Sequence, residues 1–352
     1  MNRKALIFIF PLFLVFLAYS LPLVVGVEEK GDVQVGLGYN VWMYNWEDDP
    51  NCVDVPFLGY YNSDDPIVLR SHVYWFDDLG LDFVMVTWQG RYYNPYVDQN
   101  CKLFFEVVKN YSKRVKACII VEKTGNETNE AEIYDYIYEE FVMKYPTVYY
   151  YYKGKPLIIF FSVDSTIFSY PDDPLQYDSR FTVIKMGVYA SDEWLYQNIY
   201  YPGKDGNASD KTWQGESPRC RHIPVIPRYD DRFITSPPRN STYYVDPELT
   251  WLYDAEWEKA INAVENGEVE VITISWWNEY AERTNIEPHY DYTALDKDPF
   301  LLYNKTKHYI QVVKGLVEAE PEPWFYNPQK FVFVVIMGVA CCSLAIYISK
   351  RW

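Results

Sequence analysis

Residues 269–288 read VEVITISWWNEYAERTNIEP, and the rest of the chain is organised around this stretch. It opens as an apolar, β-branched run from Val269 to Ser275, the composition of a strand buried on both faces. It then breaks into Trp276, Trp277, Asn278, Glu279, Tyr280, Ala281 and Glu282, where aromatic rings and carboxylates crowd together just past the strand's end. Glu279 and Glu282 are three apart, so a helical turn places them on one face, whereas extended chain would separate them. Like charges held that close raise one pKa and yield an acid and a base from the same residue type. Such a pair breaks glycosidic bonds, with retention at separations of about 5–5.5 Å and inversion at wider ones. A bare Glu-x-x-Glu is also what a solvated helix face looks like, and the pair alone leaves both readings open.

Outward from this stretch, apolar runs alternate with helical periodicity. Candidate strands are 33–41, 83–88, 115–121, 156–162, 182–189, 195–201, 223–226 and 269–275, eight in all. Helical spacing marks 66–79, 102–112, 131–145, 247–266 and 300–317, as with Val68, His72, Trp75 and Leu79. Eight alternating strands predict an α/β fold, a (β/α)8 TIM-type barrel. In such barrels the chemistry sits at the C-terminal ends of the strands.

Each predicted strand end can then be read for groups that hold a sugar. Trp42, Tyr44 and Trp46 follow the first; Trp88, Gln89 and Arg91 the second; Glu122 and Lys123 the third; Asp164 the fourth; Tyr229, Asp230 and Asp231 the seventh. The eighth delivers Glu279 and Glu282, the catalytic candidates. The substrate-binding candidates are Glu122, Tyr229, Asp230, Trp88, Trp42, Trp277, Asn278 and Glu287. For any one of them a solvated charge or a rim aromatic is an equally good reading; convergence on one face is what favours a site. His72, on a helix face, reads as a packing or supporting residue.

Residues 278–288 resemble the signature of glycoside hydrolase family 99, the endo-α-mannosidases and their relatives, which commonly reads Asn-Glu-Trp-His-Glu-Gly-Thr-Gln-Ile-Glu-Pro. Asn278, Glu279, Glu282, Thr284, Ile286, Glu287 and Pro288 match it, while Tyr280, Ala281, Arg283 and Asn285 stand in place of Trp, His, Gly and Gln. Residues 59–71 and 79–89, with His72 between them, are similar to the family's first helix and second strand. IPRYDDR at 226–232 resembles its Pro-Gly-Tyr-Asp-Asp segment, and Glu122 stands where the family often carries a Glu after its third strand. The likeness runs in order over residues 36–288. It implies the same barrel and a retaining α-mannosidase-type mechanism. In that mechanism Glu279 deprotonates the sugar's own 2-hydroxyl, which attacks the anomeric carbon to give a 1,2-anhydro sugar. Glu282 protonates the leaving oxygen and later activates water. The alternative is a barrel without turnover that binds glycans or serves as a cell-envelope structural protein, for which Ala281 and Arg283 are the motive.

The ends of the chain read as addresses. Residues 1–26 join Arg3 and Lys4 to a long apolar run and are expected to be a secretory signal peptide. Residues 331–348 are apolar without a charge and followed by Lys350 and Arg351, as expected of a single transmembrane helix with a cytoplasmic tail at 349–352. Residues 27–317 form the expected barrel, and 318–330, EAEPEPWFYNPQK, a semi-rigid stalk between barrel and membrane. The expected location is the cell membrane, with the barrel extracellular or lumenal and a glycan as its partner.

Composition agrees with that placement. Asp and Glu outnumber Lys and Arg by 49 to 32, which argues against nucleic acid as a partner. The 35 Tyr, 19 Phe and 12 Trp supply an aromatic core with rings to spare for a glycan cleft. Sequons begin at Asn110, Asn126, Asn207, Asn240 and Asn304. Among Cys52, Cys101, Cys118 and Cys220 the expected disulfide is Cys52 to Cys101, since both flank polar turns. No His or Cys spacing suggests a metal, and no cofactor is expected.

Overall fold

The computed structural model describes residues 33–122, 130–162, 178–187, 194–195, 221–235, 238 and 251–317. The expected signal peptide, stalk, transmembrane helix and tail lie outside these residues, as do Lys123, Asn126, Asp164, Asn207, Cys220 and Asn240. Among the described residues no helix is long and apolar enough to cross a membrane.

In chain order the elements are β1 (Gln34–Tyr39), α1 (Pro66–Leu79), β2 (Phe83–Trp88), α2 (Pro95–Tyr111), β3 (Lys116–Val121) and α3 (Glu130–Ile137). They continue with β4 (Lys155–Ser162), β5 (Thr182–Gly187), β6 (Trp194–Leu195), β7 (His222–Val225), α4 (Trp251–Glu265), β8 (Val271–Ile274) and α5 (Leu301–Val313). The strands run β6-β5-β4-β3-β2-β1-β8-β7, and every neighbouring pair is parallel. The two ends of this sheet meet: Trp194 of β6 stacks flat on His222 of β7, with ring centroids 4.6 Å apart and planes 6° apart. The result is a mixed α/β fold with a curled parallel sheet, as in a TIM barrel.

Local chemistry sets the boundaries. Pro66 opens α1 behind Asp65, whose side chain accepts from the Ile67 N–H at 2.8 Å, and Gly80 ends the helix at φ 83°, a left-handed conformation that suits glycine. Helix α2 begins at Pro95 rather than at residue 102, because Asn94 accepts from the Val97 N–H and proline takes the first helical position. The helix expected over 131–145 ends instead in a π-helical turn, Tyr138–Val142. Of the sixth expected strand, 195–201, only Leu195 falls among the described residues, where it belongs to β6 with Trp194.

Two features place the loops above the barrel. A two-residue antiparallel ribbon pairs Val55–Pro56 with His289–Tyr290, tying the loop after β1 to the loop after β8. Inside the mouth, Gly38 of β1 lies under the Trp276 ring; a Cβ there would sit 1.8 Å from Trp276 Cε3, so only glycine fits.

The expected Cys52–Cys101 disulfide does not form. Cys52, Cys101 and Cys118 are free thiols. Cys101 faces inward from α2 and its Sγ reaches the Thr87 carbonyl at 3.4 Å, whereas Cys52 belongs to a separate aromatic cluster with Trp46, Tyr61 and Tyr280. Helical periodicity turned Cys101 into the core, so its polar neighbours in sequence are not its neighbours in space. The sequon residues Asn110 and Asn304 are exposed, although Thr306, the hydroxyl of the second sequon, is buried against Tyr253.

Candidate active site at the strand ends

The segment after β8 turns sharply rather than continuing as helix. The Ser275–Trp276 peptide is cis, and the chain then folds back, with the Thr284 N–H donating to the Glu279 carbonyl at 3.1 Å and the Ile286 N–H to the Trp276 carbonyl at 3.1 Å. This turn holds Glu279 and Glu282 at the mouth, each partly exposed, while Asn278 and Tyr280 on either side of Glu279 are fully buried.

Glu279 is anchored from β1. The Asn40 side-chain amide donates to Glu279 Oε2 at 2.9 Å, and Asn40 Oδ1 accepts from the Thr87 hydroxyl at 2.8 Å. A reciprocal pair binds the two loops below it: the Asn40 N–H donates to Asn278 Oδ1 and Asn278 Nδ2 donates to the Asn40 carbonyl, both at 2.9 Å. Burial, and then the charges of Glu282 and Glu122, push the Glu279 carboxyl up to about 8; the backbone N–H groups of Glu282 and Ala281 act in the opposite sense. The shift favours the protonated carboxyl towards neutral pH, where an ordinary Glu is ionised.

Three neighbours complete the mouth. Glu122, after β3, accepts from Gln89 Nε2 at 2.8 Å, and Gln89 in turn accepts from Asn94 Nδ2 at 2.9 Å. Tyr229, after β7, points its hydroxyl at Glu282 Oε1 at 3.4 Å and at Asp231 Oδ2 at 3.3 Å. Trp42 is partly buried against both aromatic clusters of the core.

The other expected sugar contacts lie beneath the site. Trp88 is fully buried, donates from Nε1 to Asp98 at 2.9 Å and stacks on Tyr136. Trp277 is fully buried among Phe76, His72 and Trp75, with the Phe76 ring centroid 4.9 Å away. Asn278 is spent on Asn40 and Tyr61. Glu287 is fully buried and accepts from the Tyr61 hydroxyl at 2.7 Å and the Tyr280 hydroxyl at 3.0 Å, with His72 Nε2 3.0 Å away. Asp230 is buried between Arg232 and Arg283. These five side chains shape the turn and do not present themselves to a ligand. In the fold-back Trp276, Trp277, Asn278 and Tyr280 are buried while Glu279, Ala281 and Glu282 are partly exposed; Trp88 is buried at the end of β2 and Asp230 in the loop after β7.

Arg283 occupies the position that is Gly in the motif, and its φ of 52° shows why glycine suits it. A non-glycine residue there costs about 1–2 kcal/mol, offset by a buried network. The Arg283 guanidinium bonds Asp54 through Nε and Nη2 at 2.9 Å each, Asp230 at 2.7 Å and Asp291 at 2.9 Å. Arg228 joins it, donating to Asp54 at 2.8 Å, to Asp291, and through Nε to the Arg283 carbonyl at 2.7 Å. Burial disfavours the charged form of Asp54, but Arg228, His289 and Arg283 outweigh it and hold the carboxyl below its usual range. Burial likewise opposes Asp291 and Asp230, and their hydrogen bonds and arginine partners again prevail. Asp54, His289 and Asp291 converge closely enough to suggest a metal site, yet the carboxylate oxygens are already taken by two guanidinium groups.

Asn40 and Asp54 are absent from the sequence-based candidates. Asn40 had a visible signal, an amide following the run 35–39 near the end of the first expected strand. Asp54 had none, because its importance comes from arginines distant in sequence.

No protein-family model and no curated protein matches the chain. Among solved structures, the GH99 endo-α-mannosidase from Bacteroides thetaiotaomicron in complex with bis-tris-propane is similar with a TM-score of 0.61 and 21% identity, over 80% of this chain and 97% of that one. A second structure of the GH99 endo-α-mannosidase from Bacteroides thetaiotaomicron gives a TM-score of 0.60 and 19% identity, over 81% and 99%. A structure described as a glycoside hydrolase-like protein gives 0.51 and 14%, over 83% and 96%. The chain thus carries a domain with the fold of the family 99 endo-α-mannosidases, at low sequence identity to them.

Proposed function

We propose that this protein is a glycoside hydrolase that cleaves α-mannoside-like linkages in glycans with retention, using Glu279 and Glu282. The observation that carries this reading is the coupled carboxylate pair on one turn at the barrel mouth, with Glu279 pushed up to about 8 by burial, Glu282 and Glu122. A carboxylate with a raised pKa is a stronger base once ionised, and it is tuned near the pH at which it works. Glu279 is the base that takes the proton of the sugar's 2-hydroxyl, as the resemblance implies. Glu282, with the Tyr229 hydroxyl 3.4 Å from its Oε1, is the acid that protonates the leaving oxygen. Trp42, Glu122 and Tyr229 are the groups placed to meet the sugar. The segment at 331–348 holds the barrel at the cell surface or facing a lumen, which makes surface or N-linked glycans the substrates within reach.

The test is incubation of the purified full chain with a panel of α-mannans and N-glycans, beside Glu279→Gln and Glu282→Gln, with released sugars analysed. Cleavage by the parent and its loss in both variants supports the reading. Binding without cleavage in all three proteins transfers the assignment to a glycan-binding barrel.

A further inference from the structure

The structure assigns to Arg283 a role of its own: it is a positioning residue that holds Glu282 in register with Tyr229 and Glu279. This inference rests on the proposed role of Glu282. Its basis is a closed ring of bonds. The Arg283 Nη1 donates to the Asp230 carboxylate at 2.7 Å, and the Asp230 N–H donates to the Glu282 carbonyl at 2.9 Å. The peptide bond from Glu282 back to Arg283 completes the ring, and Arg228 pins the Arg283 carbonyl from outside at 2.7 Å.

The ring joins the two loops that supply the mouth, the one after β7 with Tyr229 and Asp230 and the one after β8 with Glu282. Tyr229 immediately precedes Asp230, so fixing Asp230 also fixes the phenol whose hydroxyl lies 3.4 Å from Glu282 Oε1. Arg283 is fully buried, and among the described residues its guanidinium bonds Asp54, Asp230, Asp291 and Thr293 and lies over the Phe233 ring. Its partners on the far side, Asp54 and Asp291, come from the loops after β1 and β8 that the Val55–Pro56 and His289–Tyr290 ribbon clamps together. One side chain therefore ties three loops to the main chain of a single acidic residue. A glycine at this position would keep the turn and lose the tie.

The experiment compares Arg283→Gly and Arg283→Lys with the parent full chain, and uses Asp254→Asn, which disturbs the distant Lys305 and Tyr309 contacts, as the control for general loosening. The expected result for Arg283→Gly is a fall in kcat of about 10–100-fold with KM within about twofold, since small misplacements of a catalytic group weigh on the chemical step. Arg283→Lys restores part of the loss. A second reading is independent of turnover. Carboxyl-labelled glutamate NMR follows the Glu279 titration, which is raised in part by the nearby Glu282 charge. With Glu282 untethered, the Glu279 midpoint falls by about one unit. An unmoved Glu279 titration, or a kcat loss no larger than that of Asp254→Asn, overturns the assignment. Should Arg283→Gly fail to fold, the same two readings on Arg283→Lys decide. If the parent shows no turnover, the functional reading fails, while the titration still tests Arg283.

Discussion

Two clusters of charge lie within a few residues of each other, and they are built on opposite principles. At the mouth, Glu279, Glu282 and Glu122 bring like charges together, and burial with mutual repulsion raises Glu279 to about 8. Beneath it, Asp54, Asp230 and Asp291 are matched to Arg228 and Arg283, and each of the three carboxyls is held below its usual range. The lower cluster matches each carboxylate with a guanidinium; the upper one sets carboxylates beside one another. A site that does acid–base chemistry sets like charges together, and here the frame that holds them there is a compensated network just below.

The largest effect expected on breaking the upper cluster is catalytic. Glu279→Gln and Glu282→Gln should each lower kcat/KM on the cleaved glycan by about 10²–10⁴, measured from initial rates of sugar release. The same exchange in the lower cluster should act on stability instead. Arg228→Met leaves Asp54 and Asp291 short of a buried partner, and urea unfolding should report a loss of about 3–5 kcal/mol.

The two clusters should also give opposite pH slopes. The lowered Asp carboxyls contribute stability that is present above their unfolded value of about 3.9 and lost as pH falls through their folded values. Glu279 is raised, so its contribution is present below the unfolded Glu value of about 4.3 and is lost as pH rises towards about 8. Thermal unfolding of the parent should show this contribution declining from about pH 5 to about pH 8 and levelling above, and Glu279→Gln should flatten that decline, with a Tm a few degrees above the parent's at pH 8. In kinetics the reactive state of the pair holds one proton, on Glu282, with Glu279 ionised, so kcat/KM should be bell-shaped in pH and fall on the alkaline side, through a midpoint near 8, as the pair loses that proton. A profile that keeps climbing above about 8 would remove Glu282 from the role of acid. The smallest effect belongs to Asn40→Ala: removing a donor from the Glu279 carboxylate should move that kinetic midpoint up by less than about one unit.

Much of the fold could be read from the chain because its signals are local and repeated. The run at 83–88 coincides with β2 residue for residue, β5 fills the described part of the run at 182–189, and Asp65, Pro66 and Gly80 mark both ends of α1. The start of α2 was misjudged because the capping Asn94 and Pro95 stand among tyrosines that carry no helical period. At the site, the Glu-x-x-Glu pair and its place after the last strand were legible, whereas the facing of its neighbours was not. Trp277 and Trp276 are adjacent, equally aromatic and equally suited to a sugar; one fills the core between Phe76 and His72 while the other covers Gly38 in the mouth.

The alternation of strands and helices, the acidic balance and the place of the paired carboxylates in the chain follow from the amino-acid order alone, because each depends on residues close together or on simple totals. Which acid carries the raised pKa, that Cys52 and Cys101 remain apart, and that Arg283 is held by Asp54 and Asp230 follow from the folded arrangement. Burial and charge pairing are properties of groups brought together from distant loops, and no local pattern records them.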